Sequence, residues 1–232
     1  MADFIKTVLG KGRGKVGDVV FRVSHGKTIL SSVPATRTPS TDPVVIKRKK
    51  RFGLTVKLAH AVNYLYQLKF FWKLVDIGSA KGFRSAFNKI VKLNYPYVTF
   101  DNLGDDIMLV PDSGFEVTAT SIELTNTEVN VVLNAIGTDK GIDLATETKC
   151  QLALVFFLKS PSDPNKPEFH FIHVVSVQTP ISLSNPLTFT FTLTNIEKQK
   201  FDEYSVRKAF FALVTLDADD KPVRYSNTFK ST

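Results

Sequence analysis

The spacing of hydrophobic and polar residues changes character along the chain. Near the front, Val19, Phe21 and Val23 alternate with Val20 and Arg22, and a second β-type run covers Thr28 to Val33. Between them, His25-Gly26 can supply the positive φ angles of a two-residue turn, so the pattern predicts a β-hairpin over 19–33. An isolated hairpin is marginal in water, so this one is expected to rest on the chain's own helices or on another subunit. Pro34, Pro39 and Pro43 punctuate an extended linker, and Thr41 or Asp42 can cap a helix that starts at Pro43.

From there the period is helical. Leu54, Leu58, Ala61, Val62, Leu65, Leu68, Trp72 and Val75 recur three and four residues apart, which predicts one long helix bent near Gly53. Phe70 and Phe71 read with Trp72 as core rather than as base-stacking platforms. After Ile77-Gly78-Ser79, the stripe Phe83, Phe87, Ile90, Val91 predicts a second helix ending before Asn94-Tyr95-Pro96, and the two should pair as an αα-hairpin.

Beyond Tyr97 the period becomes two. Phe115-Val117-Ala119, Ile122-Leu124, Val129-Val131-Leu133, the run from Cys150 to Leu158, the run from Phe169 to Val177, Leu187 to Leu193 and Phe211-Leu213-Thr215 all alternate. Short strands separated by turn residues predict a Greek-key β-sandwich of immunoglobulin-like architecture, closed by a hairpin around Asp219-Asp220-Lys221. The expected fold class is α+β, an N-terminal β-hairpin and αα-hairpin followed by an antiparallel immunoglobulin-like sandwich. The expected divisions are 1–42 (basic arm, hairpin and linker), 43–96 (helical hairpin) and 97–232 (sandwich).

Charge adds a polarity that the periodicity does not show. The net charge is +8, but Met1 to Pro96 carries 19 Lys/Arg against 4 Asp/Glu, while Tyr97 to Thr232 carries 11 against 18. Opposite potentials on two halves steer association, so head-to-tail contacts between copies, or attachment of the basic half to an acidic partner, are expected. The single cysteine, Cys150, cannot form an internal disulfide, and Met1 to Leu9 is too short in apolar residues for a signal-peptide core, which implies cytosolic synthesis. No apolar run approaches the ~20 residues of a membrane-spanning helix.

The strings that usually carry chemistry fail in context. Gly12-Arg13-Gly14-Lys15-Val16-Gly17 matches G-x-G-x-x-G, but strand-forming residues follow where a phosphate-binding helix would have to start. As a Walker A loop it is one residue short, and Val16 replaces the Ser/Thr. His170 and His173, three apart on a strand, point to opposite faces and cannot share a metal; His25 belongs to a turn and His60 to a helix. Cys150 reads as a buried, inert thiol. Asp105-Asp106 and Asp217 to Asp220 read as turn residues, lacking a calcium loop's length and terminal Glu. No catalytic, cofactor or metal residue is assigned, and no enzymatic activity or small-molecule substrate is expected.

The strongest local signal is Lys47-Arg48-Lys49-Lys50-Arg51 at the start of the long helix. Five adjacent cations there oppose the helix dipole and one another, so an acidic surface is expected to offset them, either nucleic acid or a neighbouring subunit. With Lys11, Arg13, Lys15, Arg22 and Lys27 of the basic arm and hairpin, these residues form the expected partner-binding set.

Gly14-Lys15-Val16-Gly17-Asp18-Val19-Val20-Phe21-Arg22, then Gly26-Lys27-Thr28-Ile29 and Arg37-Thr38-Pro39-Ser40-Thr41, resemble the opening of a protein family found in Bacteroidetes bacteria and carried by their phages. The C-terminal Ala212-Leu213-Val214 with the stretch from Lys221 to Phe229 is similar to that family's closing hairpin. The helix departs from the family pattern, having Val44-Val45-Ile46 and the cationic run where Gln and Ala are common. The resemblance implies no catalytic residue. It implies a virion or assembly role, with the protein located in the virion after synthesis in the host cytoplasm. The marginal hairpin on its proline linker, the two oppositely charged halves and the lack of an active-site constellation point within that role to a structural subunit such as a tail, collar or ring component. Its expected partners are copies of itself and other virion proteins, with nucleic acid as the alternative and no membrane.

Overall fold

A computed structural model describes residues 2–4, 14–16, 19–24, 27–32, 39–75, 85–112 and 114–231. The chain divides into two compact units, Met1–Asp42 and Pro43–Thr232.

The first unit is a four-stranded antiparallel sheet. Strands β1 (Ala2–Phe4), β2 (Gly14–Val16), β3 (Val19–Ser24) and β4 (Lys27–Ser32) are ordered β1-β4-β3-β2. β3 and β4 form the expected hairpin, with Ser24 opposite Lys27 so that two residues remain for the turn; His25 and Gly26 themselves lie outside the described residues. The hairpin is not isolated. β1 adds to one edge, and Gly14–Val16, following the basic arm, pairs with the other. Backbone pairing recruited these short segments although they carry little apolar pattern of their own.

The second unit holds three layers. Helices α1 (Pro43–Tyr64), α2 (Tyr66–Leu74) and α3 (Ala86–Asn94) cover one face of a six-stranded antiparallel sheet. That sheet runs β12 (Pro222–Tyr225), β11 (Tyr204–Leu216), β7 (Lys149–Pro161), β8 (Phe169–Val175), with β13 (Phe229–Lys230) also on β11 and β9 (Thr179–Pro180) on β7. A three-stranded antiparallel sheet, β10 (Leu187–Thr192), β6 (Glu128–Leu133), β5 (Ala119–Leu124), covers its other face. The class is mixed helix and antiparallel sheet.

The central pair β7 and β11 explains the layering. Cys150 to Leu158 are all buried, as are Ala209 to Leu216. Leu152, Leu154 and Phe156 meet Phe189 and Phe191 of the small sheet, while Ala153, Val155 and Phe157 meet Leu58, Leu68 and Trp72 of the helices. A strand covered on both sides reads as a continuous apolar run, whereas β10, covered on one, alternates buried Leu187, Phe189 and Phe191 with exposed Thr188, Thr190 and Thr192. Helices and sheets therefore share one body, and the division expected between 96 and 97 runs through packed residues.

Three elements differ from expectation. The long helix breaks at Leu65, in extended backbone (φ −72°, ψ 109°), rather than bending near Gly53. The break turns α2 so that Leu68 and Trp72 enter the core, where the Trp72 indole N–H donates to the Leu109 carbonyl at 2.8 Å. Phe115, expected to open a strand, makes only a single bridge to Ser226. A helix not expected, α4 (Asn195–Glu203), starts with a reciprocal cap between Thr194 and Glu197. Among the described residues no helix is long and apolar enough to cross a membrane.

Candidate docking surface

The cationic run occupies the first turns of α1, which contain no acidic residue. The fold answers the resulting repulsion in part. The Lys47 ammonium stands 5.1 Å from the centroid of the Phe100 ring, and Lys50 pairs with Glu168 at 3.1 Å. Arg51 is tied most firmly: its guanidinium lies 4.2 Å from the Tyr95 ring centroid and donates to the Tyr95 carbonyl at 2.7 Å and the Pro96 carbonyl at 3.3 Å. The offset expected from an external acidic surface is thus supplied for these three by the 3₁₀ turn Tyr95–Tyr97, the following loop and Glu168.

Arg48 and Lys49 are exposed and have no ion-pair partner among the described residues. With Val44, Lys47 and Arg51, Arg48 lines an open groove of about 460 Å³ whose far wall is Tyr95, Pro96, Val98, Thr99 and Phe100. The groove thus joins a cationic rim to an aromatic and proline wall. Val44, Phe52, Tyr97 and Phe100 leave apolar surface exposed on or beside it. The groove therefore presents positive charge directly beside aromatic and apolar surface.

The remaining expected partner residues belong to the first unit. Arg22 is exposed on β3; Lys15 lies on β2 and Lys27 opens β4; Lys11 and Arg13 lie outside the described residues. The Gly12 to Gly17 string contributes β2 and leads into β3, so strands stand where a phosphate site needs a helix start.

Elsewhere, His170, His173, Cys150 and the Asp217–Asp220 turn are engaged structurally. His170 lies against the Tyr204 ring and His173 against Tyr64, on opposite sides of β8; burial is the first cause holding both below the ordinary imidazole range. Among the described residues, no group of three or more His, Cys, Asp or Glu is placed to hold a metal. Burial pushes the Cys150 thiol up to about 12, which makes it a poor nucleophile. Asp217 accepts the backbone N–H groups of Asp219 and Lys221 inside the β11–β12 turn, and Asp220 pairs with Lys149 at 2.6 Å.

One constellation escaped sequence reading. Glu147, 1% exposed in its side chain, receives the Arg224 guanidinium at 3.0 Å, the Thr215 hydroxyl, and the Asp143 N–H at 3.2 Å. Thr215 and Arg224 lie far along the chain from it, so no local spacing signals the cluster. It fastens the loop before β7 to β11 and β12.

No protein-family model and no curated protein matches the chain. Among solved structures, the chain is similar to a β-glucosidase from Kluyveromyces marxianus. The selenomethionine-labelled form is 10% identical with a TM-score of 0.22, covering 50% of this chain and 14% of that one. The glucose complex is 12% identical with a TM-score of 0.19, covering 50% of this chain and 15% of that one. These likenesses are too low to carry an argument about fold or chemistry.

Proposed function

We propose that the chain is a non-enzymatic structural subunit of a bacteriophage virion, a tail, collar or ring component that docks through its basic first unit and the start of α1. The observation that carries this reading is the groove at α1, where the exposed, unpaired Arg48 stands beside a wall that includes Tyr95 and Phe100, with the exposed Lys49 next to it in the chain. The resemblance of the residues around Gly14 to Arg22 to a phage-carried family supplies the virion context. We also read the two packed sheets of the body as an immunoglobulin-like sandwich, supported by their antiparallel pairing around a shared apolar core.

Mass spectrometry of gradient-purified particles from a strain producing the protein tests the reading. The chain is expected at a fixed stoichiometry to the major virion proteins, and its absence from intact particles overturns the proposal.

Single-stranded nucleic acid is the second reading, favoured by Tyr95, Tyr97 and Phe100 lying close to the cations. Filter binding against salt separates the two. A steep loss of retention with salt supports nucleic acid, and no retention at low salt removes it.

A further inference from the structure

The layer order of the second unit sets two surfaces back to back. The helices cover one face of the six-stranded sheet and the three-stranded sheet covers the other, so the helical surface and the outer face of β10-β6-β5 point in opposite directions. The first of these carries the cationic start of α1.

The second is its electrical complement. No Lys or Arg occurs in β5, β6 or β10, nor anywhere between Lys92 and Lys140. Register sets Glu123 and Thr190 on either side of Asn130, and Thr192 beside Glu128, on the face turned away from the buried Val129, Val131, Phe189 and Phe191. Glu123 and Glu128 are exposed and make no ion pair among the described residues. Asp202 of α4 adds a third exposed carboxylate at the β5–β6 turn, accepting from the Asn126 side chain at 3.4 Å.

We propose that these two surfaces recognise each other between copies: the Arg48–Lys49 side of one molecule docks on the outer face of β10-β6-β5 of the next, against Glu123 and Glu128. The inference rests on the structural-subunit reading and names the partner. Opposed faces of one rigid body cannot meet within a molecule but can meet head to tail. Such a contact is heterologous and propagates into a ring or a filament according to its rotation. A sibling copy fits better than a nucleic acid strand, because the Tyr95 and Phe100 rings already carry Arg51 and Lys47, leaving less free ring surface for bases.

Charge reversal of the full chain tests this by sedimentation velocity. The parent protein is expected to gain weight-average mass with concentration at low salt and to return to its 25.9 kDa monomer at high salt. Arg48→Glu/Lys49→Glu and Glu123→Lys/Glu128→Lys should each need at least about tenfold higher concentration to associate. An equimolar mixture of the two should associate again, because each reversed face then meets its complement. All four positions are exposed, and unchanged thermal melts show that the variants fold.

A parent protein that stays monomeric at low salt overturns the inference, as does a variant that associates like the parent or a mixture that fails to recover. Retention of nucleic acid that Arg48→Glu/Lys49→Glu abolishes, with no self-association of the parent, also overturns it and assigns the face to nucleic acid. Monomeric protein that is nevertheless incorporated into particles overturns the sibling contact while leaving the structural-subunit reading intact.

Discussion

Arg51 and Tyr95 are joined twice, the guanidinium lying 4.2 Å from the ring centroid of the same residue whose carbonyl it bonds at 2.7 Å. This double link fixes the wall of the groove to α1. Arg51→Ala is expected to lose the stacking and the hydrogen bonds together, about 1.5–3 kcal/mol, and Arg51→Lys, which keeps the charge but not the planar fork, about half of that. Urea unfolding followed by circular dichroism measures both.

Gly53 lies inside α1, and a Cβ placed there would have no heavy atom within 4 Å. Gly53→Ala should therefore stabilise the protein by about 0.5–1 kcal/mol, through a smaller loss of backbone freedom on folding. A lower melting temperature for this variant would show that the helix needs the glycine after all.

The Glu147 carboxylate is buried while Arg224 is 46% exposed in its side chain, so the pair is partly screened. Arg224→Met leaves the carboxylate without its cation and should cost about 2–3 kcal/mol. The double substitution Arg224→Met/Glu147→Gln should cost less than Arg224→Met alone, because it also removes the uncompensated charge. A double-mutant cycle in urea reads the difference.

Burial lowers the native-state pKa of His170 and His173, and for His170 the Lys200 and Lys57 charges act in the same direction. Below about pH 6.5 the unfolded chain takes up protons that the native imidazoles still refuse, so stability falls as pH drops from there through the lowered native values. The slope is bounded at about 1.4 kcal/mol per histidine per pH unit. Comparing urea midpoints at pH 7.5 and 5.5 should show this fall, and His173→Phe should reduce it.

How far the sequence discloses this molecule depends on where each cause lies. The stripe from Leu54 to Trp72 was readable because one apolar face repeats locally, but the break at Leu65 was not, since that residue is apolar, buried and flanked by no glycine or proline. β7 reads as a strand from the two-residue spacing of Cys150, Leu152, Leu154, Phe156 and Leu158, but the intervening Ala153, Val155 and Phe157 are apolar too, and that second covered face becomes evident only in the fold. The Thr194-x-x-Glu197 cap that starts α4 is a local signal present in the sequence itself. At the candidate site the cations declared themselves as a run, whereas Tyr95 and Phe100, over forty residues away, became their supports only through folding.

The double covering of β7 and β11 also sets a schedule for synthesis. α3 ends at Asn94, but β7 starts only at Lys149 and β11 finishes at Leu216. At ribosomal speeds of about 5–20 residues per second, the apolar side of the helices waits roughly 6–24 s for the completed β11. Until then Leu58, Leu68 and Trp72 of the nascent chain lack part of the cover that the finished fold gives them.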